Sequence, residues 1–142
     1  MVKNKISICK IKFGLVNYKK QTIPTPEFTD KLNLSPSRIL IYDEKSSSRP
    51  SNNINFWQTI LINNDDIDQR ESLVIVEKLI ISRREKIAEL ISKYEMDAFL
   101  NININVIMGK TPILIIPPTL SLICGELKIE IRFDIITYST SE

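Results

Sequence analysis

The sequence predicts an α+β fold: a ferredoxin-like βαββαβ core with an added short helix and a C-terminal strand, its sheet packed by helices on one face. Three observations predict it. Residues 100–108 alternate with the two-residue period of a strand, with Leu100, Ile102, Ile104, Val106 and Met108 on one side and Asn101, Asn103 and Asn105 on the other. The longest helical pattern in the chain, residues 67–94, runs just before that strand. Residues 127–138 alternate again, Ile129, Ile131, Phe133 and Ile135 facing inward and Lys128, Glu130, Arg132 and Asp134 outward. One apolar side per strand is what a sheet covered on one face and wet on the other requires.

The elements follow in order. Residues 5–13 alternate and form a first strand, with Ser7, Cys9, Ile11 and Phe13 on one face and Ile6, Ile8, Lys10 and Lys12 on the other. Residues 17–24 are polar and read as a connection. Thr25-Pro26-Glu27 then starts a short helix: Thr25 as acceptor for an orphan amide, Pro26 at the first helical position, Glu27 at the positive end of the dipole. Phe28 and Leu32, one turn apart, are its buried face, and Ser35-Pro36 stops it because a residue before proline is pushed out of the α region. Residues 38–42 read as a second strand.

Residues 43–53 contain no apolar side chain and read as a mobile surface loop, an exposed hairpin connection in preference to a functional lid. Residues 55–63 form a third strand, with Phe56, Ile60 and Ile62 on one face and Trp57, Thr59 and Leu61 on the other. Asn64-Asp65-Asp66 caps the long helix, whose stripe is Leu73, Val76, Ile80, Ile87, Leu90, Ile91 and Tyr94. Arg83 and Arg84 interrupt the stripe. They are expected to snorkel to its edge, the other reading being a pair with a carboxylate beneath the helix. Gly109-Lys110-Thr111-Pro112 makes a turn, and residues 117–123 form a short helix that Gly125 ends as a C-cap.

Bulk properties narrow the class. The 142 residues make a single domain, residues 1–142, long enough to bury about two-thirds of the unfolded surface. Hydrophobic content of 43% and charged content of 25% are those of a globular chain, not a disordered one. With 19 basic and 17 acidic residues the balance does not argue for a dedicated nucleic-acid binder. Histidine is absent, which removes histidine triads, histidine bases and histidine metal ligands together. Cys9 and Cys124 lie far apart without CxxC spacing and read as two buried, reduced thiols. The basic start is followed by apolar residues interrupted at Lys10 and Lys12, so no signal-peptide core is read there. The most apolar run, Ile113-Leu114-Ile115-Ile116, ends at Pro117-Pro118 and is too short to span a bilayer. A cytoplasmic location with no membrane contact is expected.

A family resemblance rests on particular residues. They are the helix Pro26-Glu27-Phe28-Thr29-Asp30-Lys31-Leu32 running into the corner Leu34-Ser35-Pro36-Ser37, and a lone tryptophan, Trp57, on the following strand. A long helix leading into an alternating strand comes next, then Pro117-Pro118-Thr119-Leu120 through Leu127-Lys128-Ile129-Glu130-Ile131, ending near Tyr138. Over most of its length the chain resembles the bacterial domain-of-unknown-function family 4279. The polar, serine-rich loop stands where that family usually carries a glycine-and-lysine segment. The resemblance implies a fold and a bacterial or mobile-element origin, and no activity.

Candidate sites are few. Met108-Gly109-Lys110-Thr111 is not a phosphate loop, because Ile104 stands where the first glycine is needed and Pro112 where a helix must run. Asp65, Asp66 and Asp68 complement a helix dipole and lack the glycine and distal glutamate of a calcium loop. No nucleophile has a recognisable base beside it, so no catalytic residue, cofactor or metal is expected, and an enzyme using carboxylate or lysine chemistry is the least supported reading.

What remains is the polar sheet face. The predicted register gives it Trp57, Thr59, Asn101, Asn103, Asn105, Lys128 and Arg132, alongside Lys10, Lys12, Glu130 and Asp134. The plain reading is a solvated face with the tryptophan partly covered by the serine-rich loop; the functional one is a recognition surface, since amides, mixed charge and one aromatic anchor suit a protein interface. The expected function is therefore a non-enzymatic protein-binding domain, with an immunity or antitoxin-like role suggested by family context and size. The alternative is a single-stranded nucleic-acid-binding module stacking bases on Trp57, a weaker case because such binders present several aromatics and a basic groove. Homodimerisation through an exposed sheet edge is a further option.

Overall fold

The computed structural model describes residues 7–46, 53–63, 69–109 and 114–139. In chain order they form β1 (Ser7–Asn17), α1 (Thr25–Leu32), β2 (Arg38–Leu40), a 3-10 turn (Glu44–Ser46), β3 (Asn55–Ile62), α2 (Gln69–Ile81), α3 (Arg84–Tyr94), β4 (Asp97–Ile107), α4 (Pro118–Leu127) and β5 (Ile129–Tyr138). This is a mixed α+β fold whose five strands lie in the order β2-β3-β1-β4-β5. The first three pairings are antiparallel, while β5 joins β4 in parallel across the α4 crossover.

The core lies on one side of the sheet. Ile11, Phe13 and Leu15 of β1, Trp57 of β3, and Leu100, Ile102 and Ile104 of β4 meet Phe28 and Leu32 of α1, Leu73, Val76 and Ile80 of α2, and Ile87 and Leu90 of α3. The alternation of β4 therefore buries the side that the sequence predicts, up to Val106. Met108 belongs to the turn beyond the strand and is exposed. On β1 the alternation continues past Phe13 through Leu15, so the strand is longer than residues 5–13.

Strand β3 is inverted relative to its expected phase. Phe13 faces Thr59 and Leu15 faces Trp57, so Trp57 and Thr59 point at the helices while Phe56, Gln58 and Ile60 point away. The cause is a bulge. The register shifts after Ile11, whose partner is Ile62, and Leu61 is left over. Ile62 thus joins the buried side although it has the parity of Phe56 and Ile60, and that parity misleads a strict two-residue reading.

The long helix is two helices. Arg83 leaves the α conformation (φ −115°, ψ 6°) and its amide bonds Ile80 O, three residues back instead of four. Leu79 O, freed by this, accepts from Ser82 Oγ at 3.0 Å and from an Arg83 guanidinium nitrogen at 3.1 Å. Arg83 Nε reaches Leu32 O, the last carbonyl of α1, at 2.6 Å. Among the described residues Arg83 pairs with no carboxylate, and instead of snorkelling it caps the negative ends of two helices at once. Arg84 is exposed.

Three helix ends also differ from expectation. Thr25 is the buried first residue of α1, and the cap position belongs to Pro24, which has no side-chain cap bond and whose carbonyl accepts from Glu27 N at 3.0 Å. The helix ends at Asn33, in the left-handed region at φ 52°, before Ser35-Pro36 is reached. Helix α4 runs through Gly125 to Leu127 and ends on left-handed Lys128, whose amide bonds Cys124 O and Gly125 O. Carrying on past Gly125 keeps Cys124 and Leu127 against the core, where a stop at Gly125 would expose Leu127. The helix cap at residues 64–66 and the turn at residues 110–112 lie outside the described residues, as does most of the loop at residues 43–53.

Candidate functional site

The open face of the sheet is built by the residues that alternate with the core. On β4 these are Phe99, Asn101, Asn103 and Asn105; the register sets Asn101 between Lys12 and Arg132, and Asn103 between Lys10 and Asp134. The amides therefore point away from the helices. The Oδ1 atoms of Asn101 and Asn103 are covered by their neighbours and meet no donor among the described residues. Arg132 lies on this face, its Nε donating to Glu130 Oε1 at 2.9 Å.

Trp57 and Thr59 do not share it. Trp57 is fully buried, its Nε1 donating to Thr29 Oγ1 at 3.2 Å and its ring 6.4 Å from that of Phe28. Thr59 Oγ1 donates to Ser35 O at 2.7 Å. Both residues fasten α1 and the proline corner to the sheet, which is a structural task. Lys128 leaves the face for a different reason: as the left-handed cap of α4 it sits in the turn before β5.

The aromatics of the open face are Phe56, which the sequence analysis sets on the opposite face, and Phe99, which it does not name. Phe56 and Phe99 stack at 5.7 Å between centroids, with Arg38 over Phe56 at 5.9 Å and Arg132 over Phe99 at 4.6 Å. Phe99 also lies on Gly14, where an added Cβ would come within 2.2 Å of its ring. Only 3% of Phe99 is exposed. The four residues make a row in which each ring lies under a guanidinium, with Phe99 buried and Phe56 half-buried. Carrying the alternation of β4 one step back from Leu100 would have found Phe99.

At the end of the sheet a small cavity of about 130 Å³ is lined by Asn17, Lys19, Gln21, Ile23, Lys93, Tyr94 and Glu95. Its polar groups are engaged structurally. Asn55 Nδ2 donates to Asn17 Oδ1 at 3.0 Å and to Gln21 O at 2.7 Å, while Asn17 Nδ2 donates to Tyr94 O at 2.9 Å. Lys19 pairs with Glu95. Lys93 Nζ, at 2.8 Å, and the Tyr94 hydroxyl both donate to Glu27, and these bonds hold its carboxyl down at about 2, from an ordinary 4.5. Tyr94 is raised by the same contact. The network ties α1 to α3.

Cys124 is a free, buried thiol, pushed up to about 11 by desolvation; the side chain of Cys9 lies outside the described residues. Asp65, Asp66 and Asp68 lie outside them too. Among the described residues no three His, Cys, Asp or Glu side chains gather to hold a metal, and no helix is long and apolar enough to cross a membrane.

Strand β5 is the last in the sheet order and its outer side is unpaired among the described residues. Helix α4 and the core cover its start, where Ile129 is buried and Ile131 half-buried, but farther along Phe133, Ile135 and Ile136 are 45%, 53% and 53% exposed. Phe133 and Ile135 have the inward phase that the sequence predicts, but the described helices leave them half exposed.

A family model described as "Domain of unknown function (DUF4279)" matches residues 8–138. Neither the curated proteins nor the solved structures gave a match.

Proposed function

The chain belongs to the DUF4279 family, to which no activity is assigned, and from its own surfaces we propose a non-enzymatic protein-binding domain that takes its partner on the free edge of β5. One observation carries this reading. Along the ten residues of β5 the side away from β4 is unpaired among the described residues, without proline or bulge, and the strand bears three half-exposed large apolar side chains. Such an edge is a template for another strand, and main-chain bonds plus side-chain contacts on both faces supply the affinity. The same reading takes β1, α1, β2, β3, α2 with α3, and β4 as a ferredoxin-like split βαβ core. The β2-β3-β1-β4 order with antiparallel neighbours throughout supports it, β5 being the addition. The roofed rings of Phe56 and Phe99 count against base stacking on the open face.

The test compares the wild-type chain with an Ile135→Lys/Ile136→Lys variant, since lysines blunt an edge without touching the core. Each is used as bait in native-host extract, with a second, differently tagged copy of the chain included. A stoichiometric partner that the wild type holds and the lysine variant loses is expected. Equal recovery on both baits, or no partner for either, would overturn the reading.

A further inference from the structure

We propose that the partner at the β5 edge is a second copy of this chain, paired antiparallel about a two-fold axis at Phe133, so that two five-stranded sheets become one. The proposal rests on the protein-binding reading of that edge and names its occupant.

The argument is one of register. When a strand pairs with its own copy, joining helix-covered face to helix-covered face requires residues of like parity to stand opposite each other, so the axis passes through a residue. The charged residues of β5, Glu130, Arg132 and Asp134, all share the open face, and their order discriminates among the axes. An axis at Arg132 sets Arg132 against the partner's Arg132 and Glu130 against the partner's Asp134. An axis at Asp134 sets two aspartates together and gives Arg132 no acidic partner. An axis at Ile131 matches Glu130 with the partner's Arg132, but pairs only Ile129 to Phe133 and leaves Ile135 and Ile136 outside.

The axis at Phe133 sets Arg132 opposite the partner's Asp134, and by symmetry Asp134 opposite the partner's Arg132. It pairs Ile131 with the partner's Ile135 and runs from Ile129 to Thr137. On the helix side it brings the two half-exposed Phe133 rings together. Asp134, which makes no ion pair with any described residue, gains one.

Sedimentation equilibrium of the full chain tests this, using wild type, Arg132→Asp, Asp134→Arg, and the two single variants mixed. The wild type is expected to be a dimer. Each single variant puts like charges together twice and weakens its own dimer on the order of tenfold or more. In the equimolar mixture one chain carries acids at both positions and the other carries bases at both. Every facing pair is then opposite in charge again, and association is restored. Recovery in the mixture also excludes misfolding as the cause of the single-variant losses. A monomeric wild type, single variants that dimerise undiminished, or a mixture that stays monomeric would each overturn the proposal. A monomeric wild type that still captures a different protein, and loses it in the Ile135→Lys/Ile136→Lys variant, would sink self-pairing alone and leave the protein-binding reading standing.

Discussion

The two faces of this sheet share strands and almost nothing else. On the helix side, β1, β3 and β4 present large apolar side chains that are buried, and the polar groups Trp57 Nε1 and Thr59 Oγ1 there each have a partner on α1 or the corner after it, as Asn17 and Asn55 have at the end of the sheet. On the open side the same strands present amides, cations and two phenyl rings, held by stacking and by guanidinium groups that stay in contact with water. The first face owes its stability to area removed from water, the second to local pair contacts worth a fraction of a kcal/mol to about 1 kcal/mol each. Polarity alone therefore does not mark a binding surface here, because the rings and guanidinium groups of the open face engage one another and its Asn101 and Asn103 Oδ1 atoms are covered. The outer side of β5, unpaired among the described residues, is the part of the sheet left open.

Substitutions should separate the two faces by magnitude. Trp57→Ala is expected to cost the most, about 3–5 kcal/mol in urea unfolding, since it opens a cavity beneath α1 and orphans the Thr29 hydroxyl. A loss below about 1 kcal/mol would place the ring on the open side after all. Next is Gly14→Ala, expected to cost about 1–3 kcal/mol because the Phe99 ring must move off the sheet. A double change with Phe99→Leu should recover part of it, and no recovery would show that the ring is not what the new methyl meets.

Asn103→Thr should change stability by less than about 1 kcal/mol, with a gain the expected sign. It replaces an amide whose Oδ1 is covered and unpaired with a better strand former. A loss above that range would reveal a partner for the amide.

The smallest effect depends on pH. Glu27 is held at about 2 by bonds from Lys93 and Tyr94, below its ordinary 4.5, so the folded state favours its charged form. Its contribution is complete above the unfolded value and is lost as pH falls through the folded one. The urea midpoint of wild type should exceed that of Glu27→Gln at neutral pH, and the gap should close between about pH 4.5 and 2. A gap that persists unchanged at pH 2 would mean that the carboxylate charge is not what joins α1 to α3.

Much of this was legible from residue order. The β4 alternation placed Leu100, Ile102 and Ile104 correctly because a strand covered on one side leaves a plain two-residue signal. Phase failed on β3, where the bulge at Leu61 is set by pairing with β1 and leaves no local mark. The break at Arg83 left no local mark, and the carbonyl that its Nε reaches, that of Leu32, is distant in sequence. Gly125 carried a stop signal that tertiary packing of Leu127 overrode. On β5 the phase was readable, yet the lack of cover over Phe133 and Ile135 was not. Periodicity reports which side a residue takes, while burial depends on how far a neighbouring helix extends.

Strand β1 sits at the centre of the sheet, with Ile11 opposite Ile62 on one flank and Ile102 on the other. During synthesis it is therefore made well before either neighbour exists, and neither pairing closes until a long stretch of chain has followed. Closing such loops is slow, and the apolar strand waits meanwhile with both backbone edges bare. Expression yield and refolding speed should then answer to the residues of β4, which complete the enclosure of β1, more than to those of any helix.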